Sequence, residues 1–235
     1  PKQPEPPSSS SSSPPSPPPS PPPSLPLPPS PPPSPPPPTP ISDVNFGAAI
    51  AACLGTHPVD GLCTSSEYGA MSGWDVSLVT NMFGAFNGET TFNGNISGWN
   101  TSSVTNMQQV FYNAAGFNQP LPWDTSKVVT MYKLFQNAGA FNRPLAWDTS
   151  KVTSMTAMFM DAPAFNQPLA WDTSKVTNMN FQFFGAAAFD QDITSWSLAA
   201  LTSSSKMFVG ATAWLAKYDR TPANANQDGP PSNWA

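Results

Sequence analysis

Charge is scarce in this chain. Only 10% of the 235 residues are Asp, Glu, Lys or Arg, and nine of them are basic. Scattered Lys and Arg give no footprint for a nucleic acid, which needs them clustered on one face. The same scarcity argues against electrostatic binding to a membrane surface. No run of about 18 apolar residues occurs, so no segment is expected to span a bilayer. Histidine is limited to His57. It has no partner set for a hydrolytic triad or a zinc site, and is read as a structural residue of a terminal cap. There are two cysteines, Cys53 and Cys63, in the stretch "CLGTHPVDGLC". Pro58 and Gly61 let that loop double back, so a disulfide is expected in an oxidising compartment, with two buried thiols as the alternative.

Proline is abundant but unevenly placed. Residues 1–40 are almost all Pro and Ser. Proline lacks a backbone donor, fixes φ near −65° and pushes its predecessor toward extended backbone. The segment is therefore expected to be a polyproline II arm, on the order of 120 Å long at ~3.1 Å per residue. Ser-Pro-Pro-Pro words begin at Ser16, Ser20, Ser30 and Ser34. They resemble the hydroxyproline-rich glycoproteins of plant and green-algal walls, the extensin and pherophorin type. The resemblance implies galactose on serine and arabinose on hydroxylated proline. The candidate serines are Ser16, Ser20, Ser24, Ser30 and Ser34. The candidate prolines are Pro17, Pro18, Pro19, Pro21, Pro22 and Pro23, then Pro31, Pro32, Pro33, Pro35, Pro36 and Pro37.

From Ile41 onward the chain reads as globular, and it repeats itself. Trp74, Trp99, Trp123, Trp147, Trp171 and Trp196 are 24 or 25 residues apart. Each anchors further columns: Val79 to Val176, Met82 to Met179, Phe86 to Phe208, and Phe92 to Phe189 with Trp214 last. A period of this length is the signature of a solenoid, in which no copy can bury its own aromatics but stacked copies share one core. Within a copy, Leu145 and Trp147 are spaced as on one face of a strand. Val152, Met155, Phe159 and Ala162 are spaced as on one face of a helix, with Ser150 at the N-cap place. The expected architecture is an α/β solenoid of about six turns of 24–25 residues, each a short parallel strand plus a short helix. The β-branched Thr and Val leave a looser 3₁₀ piece as an alternative to the helix.

The words "FNQPLAWDTSKVTNM" resemble the mycoplasma-type surface-lipoprotein repeat, a relative of the BspA-like leucine-rich repeats. The resemblance covers about Trp74 to Trp214. It implies a leucine-rich-repeat-like solenoid in a surface or secreted setting and no enzymatic activity. The expected organisation is then an arm over 1–40, an N-terminal cap over 41–73, the solenoid over 74–214 and a C-terminal cap over 215–235. Solenoid ends expose core and sheet edge and need such covers. Pro230 and Pro231 suit a stop to strand addition, and Trp234 suits a plug for the last layer.

Several polar columns invite chemical readings. Asp75, Asp124, Asp148 and Asp172, with Asn100 in line, form a carboxylate row that stacking could turn toward calcium. Lys127, Lys151 and Lys175 run beside it, so turn capping and charge screening explain the row without metal. Asn93, Asn118, Asn142 and Asn166 read as a ladder satisfying loop backbone. Thr125, Thr149 and Thr173, and Thr105, Thr153 and Thr177, line up as an exposed regular face, the kind that can match an ice lattice. Asn95-Ile-Ser and Asn100-Thr-Ser are N-glycosylation sequons. No cofactor and no catalytic set emerges. The leading expectation is a secreted, glycosylated, non-enzymatic structural protein of an extracellular fibre, wall or matrix. It would self-associate into a filament through the arm, with Leu25 and Leu27 as docking points and covalent glycans along the rod. The alternative is a cell-surface adhesion module that binds a protein or glycan, with the arm as its stalk.

Overall fold

A computed structural model of the chain describes residues 40–218. The expected polyproline II arm with its glycan acceptors and Leu25 and Leu27, and the expected stop at Pro230, Pro231 and Trp234, lie outside the described residues.

The six tryptophan-anchored copies stack in register. Asn81, Asn106, Thr130, Ser154, Asn178 and Ser203 form a row of parallel bridges, one residue per copy. The side chains inside follow the same step. Phe86, Phe111, Phe135, Phe159, Phe183 and Phe208 lie face to face at 5.4–5.8 Å. Phe92, Phe117, Phe141, Phe165 and Phe189 form a second column at 5.9–6.2 Å. The two phenylalanines of one copy stack on each other more closely, at 3.9 Å for Phe135 and Phe141. The tryptophan rim is tied as well as packed. Each indole N–H from Trp99 to Trp196 donates to a backbone carbonyl of the preceding copy or cap, at 2.7–3.2 Å. An aromatic that is both buried and hydrogen-bonded holds area and direction at once.

The short helix expected after each tryptophan is not there. Among the described residues the α-helices are α1 (Phe46–Leu54) and α2 (Thr212–Lys217), both at the ends of the stack. The middle of each copy is a run of overlapping turns. In the third copy, Leu134 N–H donates to Met131 O, Gln136 to Lys133 O, Ala138 to Phe135 O and Phe141 to Ala138 O. The residues between them donate outward: Met131 to Ser154 O, Lys133 to Thr156 O, Phe135 to Met158 O and Asn137 to Met160 O. Donors thus alternate between closing a turn and joining the next copy, and an α-helix would leave none for the join. Turns of this kind bring Met131, Leu134, Phe135, Ala138 and Phe141 inward. Those are the offsets a helix would bury, which is why the apolar spacing misleads. The expected strand is also displaced. Leu145 and Trp147 are both inward, but the bridged residues are Thr130 and Ser154, seven positions after Trp123 and Trp147.

Alternating turns require left-handed backbone at two places per copy. One column holds Gly88, Asn113, Asn137, Asp161, Gly185 and Gly210, all at positive φ. These are the residue types that tolerate that region. At Gly185 a Cβ would meet Asp161 Oδ1 as well. Asn137 also donates from Nδ2 to Asn113 Oδ1 at 2.6 Å. Asn137→Ala is therefore expected to lower unfolding free energy by about 1–2 kcal/mol, and Asn137→Gly by less. Urea unfolding of the two variants checks the order; an alanine variant as stable as the glycine one contradicts it.

The ends are covered differently. Ahead of the first copy, Ser42 bridges to Leu78 and α1 lays Phe46 edge-on against Trp99 at 5.8 Å. Cys53 on α1 is disulfide-bonded to Cys63, with Cα atoms 5.2 Å apart. Asp43 pins this cap to the stack: its carboxylate accepts from Thr80 N–H, Thr80 Oγ1 and Asn81 N–H at 2.6–3.0 Å. At the other end α2 brings Trp214 onto Phe208 at 3.8 Å, in the place of the last phenylalanine.

Candidate functional site

The aspartate row is structural in its geometry. Asp75, Asp124, Asp148 and Asp172 each accept, through Oδ1, the N–H of the serine two residues on, at 2.9 Å. Ser150 is thus the donor of a turn capped by Asp148, not a helix N-cap. Those serine hydrogen bonds hold the four carboxyls below the usual value of about 3.8. Among the described residues no group of three His, Cys, Asp or Glu is placed to hold a metal. His57 Nδ1 lies 3.0 Å from Thr56 Oγ1 in the N-terminal cap.

A depressed carboxyl pKa gives stability that is present above the unfolded value and lost as pH falls through the folded one. Stability is therefore expected to be flat on the neutral side and to decline below about pH 3.8, as these aspartates protonate. Asn100 makes the same turn with Ser102 at 3.2 Å. Replacing the four aspartates by Asn should keep the neutral-pH melting point and reduce the acid decline. An unchanged acid decline in that variant, followed by circular dichroism against pH, contradicts the assignment.

The threonine columns divide. Thr125, Thr149 and Thr173 are buried, and each hydroxyl donates to a carbonyl of the next copy at 2.8–2.9 Å. They form no exposed face, which corrects that expectation. Thr105, Thr153 and Thr177 are exposed, but Val129 interrupts them and their hydroxyls donate to the preceding copy's backbone at 3.1–3.3 Å. The asparagine ladder runs from Asn93 to Asp190, each Oδ1 accepting the next copy's N–H at 2.9–3.1 Å. The sequon residues Asn95 and Asn100 are exposed, each accepting from the serine two places on.

One face is marked by variation. Three neighbouring columns on it change from copy to copy. The first reads Phe83, Gln108, Tyr132, Thr156, Asn180, Ser205. The second reads Gly84, Gln109, Lys133, Ala157, Phe181, Lys206, and the third Asn87, Tyr112, Gln136, Met160, Phe184, Val209. The second column is the other left-handed position of each copy. Yet Gln109, Lys133, Ala157, Phe181 and Lys206 occupy it with φ of 53–58°. Each of these side chains costs strain that glycine would relieve. Tyr112, Tyr132, Phe181 and Phe184 make the face aromatic. The Lys133 ammonium lies over Tyr132 and Tyr112 at 5.2 and 5.6 Å, and Phe181 packs against Phe184 at 5.9 Å.

A groove of about 310 Å³ opens in this face, with Tyr132, Lys133, Gln136, Thr156, Met160 and Phe181 around Ala157. Gln136 is 8% exposed, and its buried Oε1 has no hydrogen-bond partner among the described residues. A larger groove of about 500 Å³ lies between Pro144–Trp147 and Gln167–Trp171. It is apolar apart from Gln167, whose amide already donates to Asn142 Oδ1 at 2.8 Å. None of these face residues stands out in a linear reading. They emerge when the copies are laid in register and the columns that refuse to repeat are marked.

The repeat is also what known proteins share with the chain. Residues 61–146 and again 145–224 match the model of the family described as "Mycoplasma protein of unknown function, DUF285". The chain belongs to this family. The two matches meet between the third and fourth copies, so each spans three tryptophan-anchored copies. Comparisons with curated proteins and with solved structures give no match. Among the described residues no helix is long and apolar enough to cross a membrane.

Proposed function

We propose that the chain is an extracellular, non-enzymatic recognition module. Its copies form one solenoid, built from stacked turns rather than strand-and-helix units, and the variable aromatic face is its reading surface. The observation that carries this is the contrast between columns. Phe86 to Phe208 repeat through all six copies and Met82 to Met179 through the first five, while the three face columns differ in almost every copy. A purely mechanical spacer has no need of that diversity, least of all at left-handed positions where glycine would relieve strain. Repeat proteins present extended binding surfaces in this way. The disulfide between Cys53 and Cys63 and the exposed sequons at Asn95 and Asn100 suit a secreted or cell-surface setting. On this reading the proline-rich segment is a stalk. The fibre reading, with a filament built through that segment, rests on residues outside the described ones, and both described ends of the stack are covered rather than left open for end-to-end addition.

The test is binding to arrays of glycans and extracellular proteins by three chains. They are the native chain, a face variant (Tyr112, Tyr132, Lys133 and Phe181 to Ser) and an edge variant (Lys127, Lys151 and Lys175 to Ser). Signals lost in the face variant and kept in the edge variant support the module. Arrays that bind all three alike, or none, reject it.

A further inference from the structure

The first copy has no copy before it, and its backbone shows the gap. We propose that this edge takes one segment of a partner protein, a proline-free run with a basic side chain, whose alternate N–H groups donate to the carbonyls of Asn81, Phe83, Ala85 and Asn87. The variable face begins here, but capture of a backbone needs only the stack.

The joins between copies show what such a row binds. In the second copy the carbonyls of Asn106, Gln108, Val110 and Tyr112 accept from Met82, Gly84, Phe86 and Gly88 of the first, at 2.8–3.0 Å. In the fourth, Ser154, Thr156, Met158 and Met160 accept from Met131, Lys133, Phe135 and Asn137 in the same way. Asn81, Phe83, Ala85 and Asn87 hold these four places in the first copy, and no N–H among the described residues donates to their carbonyls. All four residues line one groove of about 370 Å³, whose other wall is Phe46, Gly47, Ile50 and Ala51 of α1. An open backbone edge of this kind is a template for another chain, and main-chain hydrogen bonds carry the affinity of such additions.

The groove is clear of side chains where a backbone would enter. The left-handed column that holds Gly88 points back toward the preceding copy: a Cβ on Gly185 would meet Asp161, and one on Gly210 would meet Gly185. At Gly88 a Cβ would meet nothing within 4 Å, and at Gly47 on the opposite wall the same holds. Charge selects further. Ala114, Ala138, Ala162, Ala186 and Ala211 fill one buried column, and the first copy alone has an acid there, Glu89. Glu89 and Asp43 line the groove, and no Lys or Arg does. The site is therefore rich in acceptors and negative in charge, which suits N–H groups beside a cation. Phe83, 56% exposed, adds an apolar contact at the rim. Other occupants fit less well. A proline-rich run lacks the donors that the row needs. A whole further copy is shut out, because α1 already lies over the core with Phe46 against Trp99. A polyanion would meet two carboxylates and no base.

The experiment is an NMR titration of the full ¹⁵N-labelled chain with the end-capped peptide TMYKLFQNA. This peptide copies residues 130–138 and carries the donors that serve the fourth copy's row. Its controls are a form with Met131→Pro and Phe135→Pro, which lacks two of those donors, a form with Lys133→Glu, and cellotetraose. The peptide should shift amides in residues 43–51 and 81–89 saturably, and the proline form should bind about tenfold more weakly or worse. The glutamate form should also be weaker. In the chain, Gly88→Asn and Glu89→Ala install residues that later copies hold in the same columns, so both should stay folded with near-native melting temperatures. Gly88→Asn should weaken the peptide about tenfold and Glu89→Ala about threefold. The face variant (Tyr112, Tyr132, Lys133 and Phe181 to Ser) should bind it as the native chain does. The proposal is overturned if about 1 mM peptide leaves those amides unmoved, if the shifts fall elsewhere, or if the proline form or the Gly88→Asn chain binds equally well. It is also overturned if cellotetraose alone moves the amides, or if they move only with the concentration of the chain itself.

Discussion

Trp147→Ala is expected to lower the unfolding free energy by about 3–5 kcal/mol, the range for truncating a buried aromatic. The indole is 5% exposed and packs against Phe135 at 6.0 Å. Its N–H is also the donor to Leu121 O at 2.9 Å, so truncation leaves a cavity and an unpaired carbonyl together. Trp147→Phe fills most of the cavity but leaves the same carbonyl unpaired, and should cost roughly half as much. Urea unfolding measures both. Equal stability of the alanine variant and the native chain would falsify a buried tryptophan column and place these indoles on the surface.

Reduction of the Cys53–Cys63 disulfide should have the second largest effect, about 2–3 kcal/mol for so short a loop. The effect should also be local. Each copy is bonded only to its neighbours, so stability is close to a sum of neighbour terms. Amides in residues 41–73 should exchange first on reduction, ahead of those in the central third and fourth copies. The attachment that remains is the Asp43 carboxylate with its three donors and the Ser42 bridge to Leu78. Uniform acceleration of exchange along the described residues contradicts this picture.

What could be read from the sequence was the part that repetition enforces. A column of tryptophans or phenylalanines has one packing problem and states its answer six times, so the 24–25-residue step was legible and so were the residues facing inward. The local backbone was not. Val152, Met155, Phe159 and Ala162 point inward in a helix and equally in a run of turns, and spacing alone does not tell where an N–H is spent. The deciding signal was at Asn113, Asn137 and Asp161, with Gly88, Gly185 and Gly210: residues tolerant of positive φ recurring inside the expected helix, one place before its last inward residue. The burial of Thr125, Thr149 and Thr173 was hidden for a similar reason. A hydroxyl that bonds a neighbouring copy's backbone looks, in one dimension, like a hydroxyl facing water. The variable face has no such signal in one dimension, because repetition singles out the columns that recur, whereas Tyr132, Gln136 and Phe181 lie in columns that do not.

The near-identity of neighbouring copies has a consequence for inheritance. Ala146 and Ala170 precede Trp147 and Trp171 in almost the same words. A slipped exchange between the two coding stretches would join Ala146 directly to Trp171. The shortened chain would keep every inward column in step, and donors of the third copy would meet the equivalent acceptors of the fifth. The same event would discard Thr156, Ala157 and Met160 and set Tyr132 and Gln136 beside Asn180 and Phe184. Length and surface chemistry are therefore coupled as one heritable unit. A lineage can shuffle its surface by whole copies, with the stacking contacts acting as a standard joint that accepts whichever copy comes next.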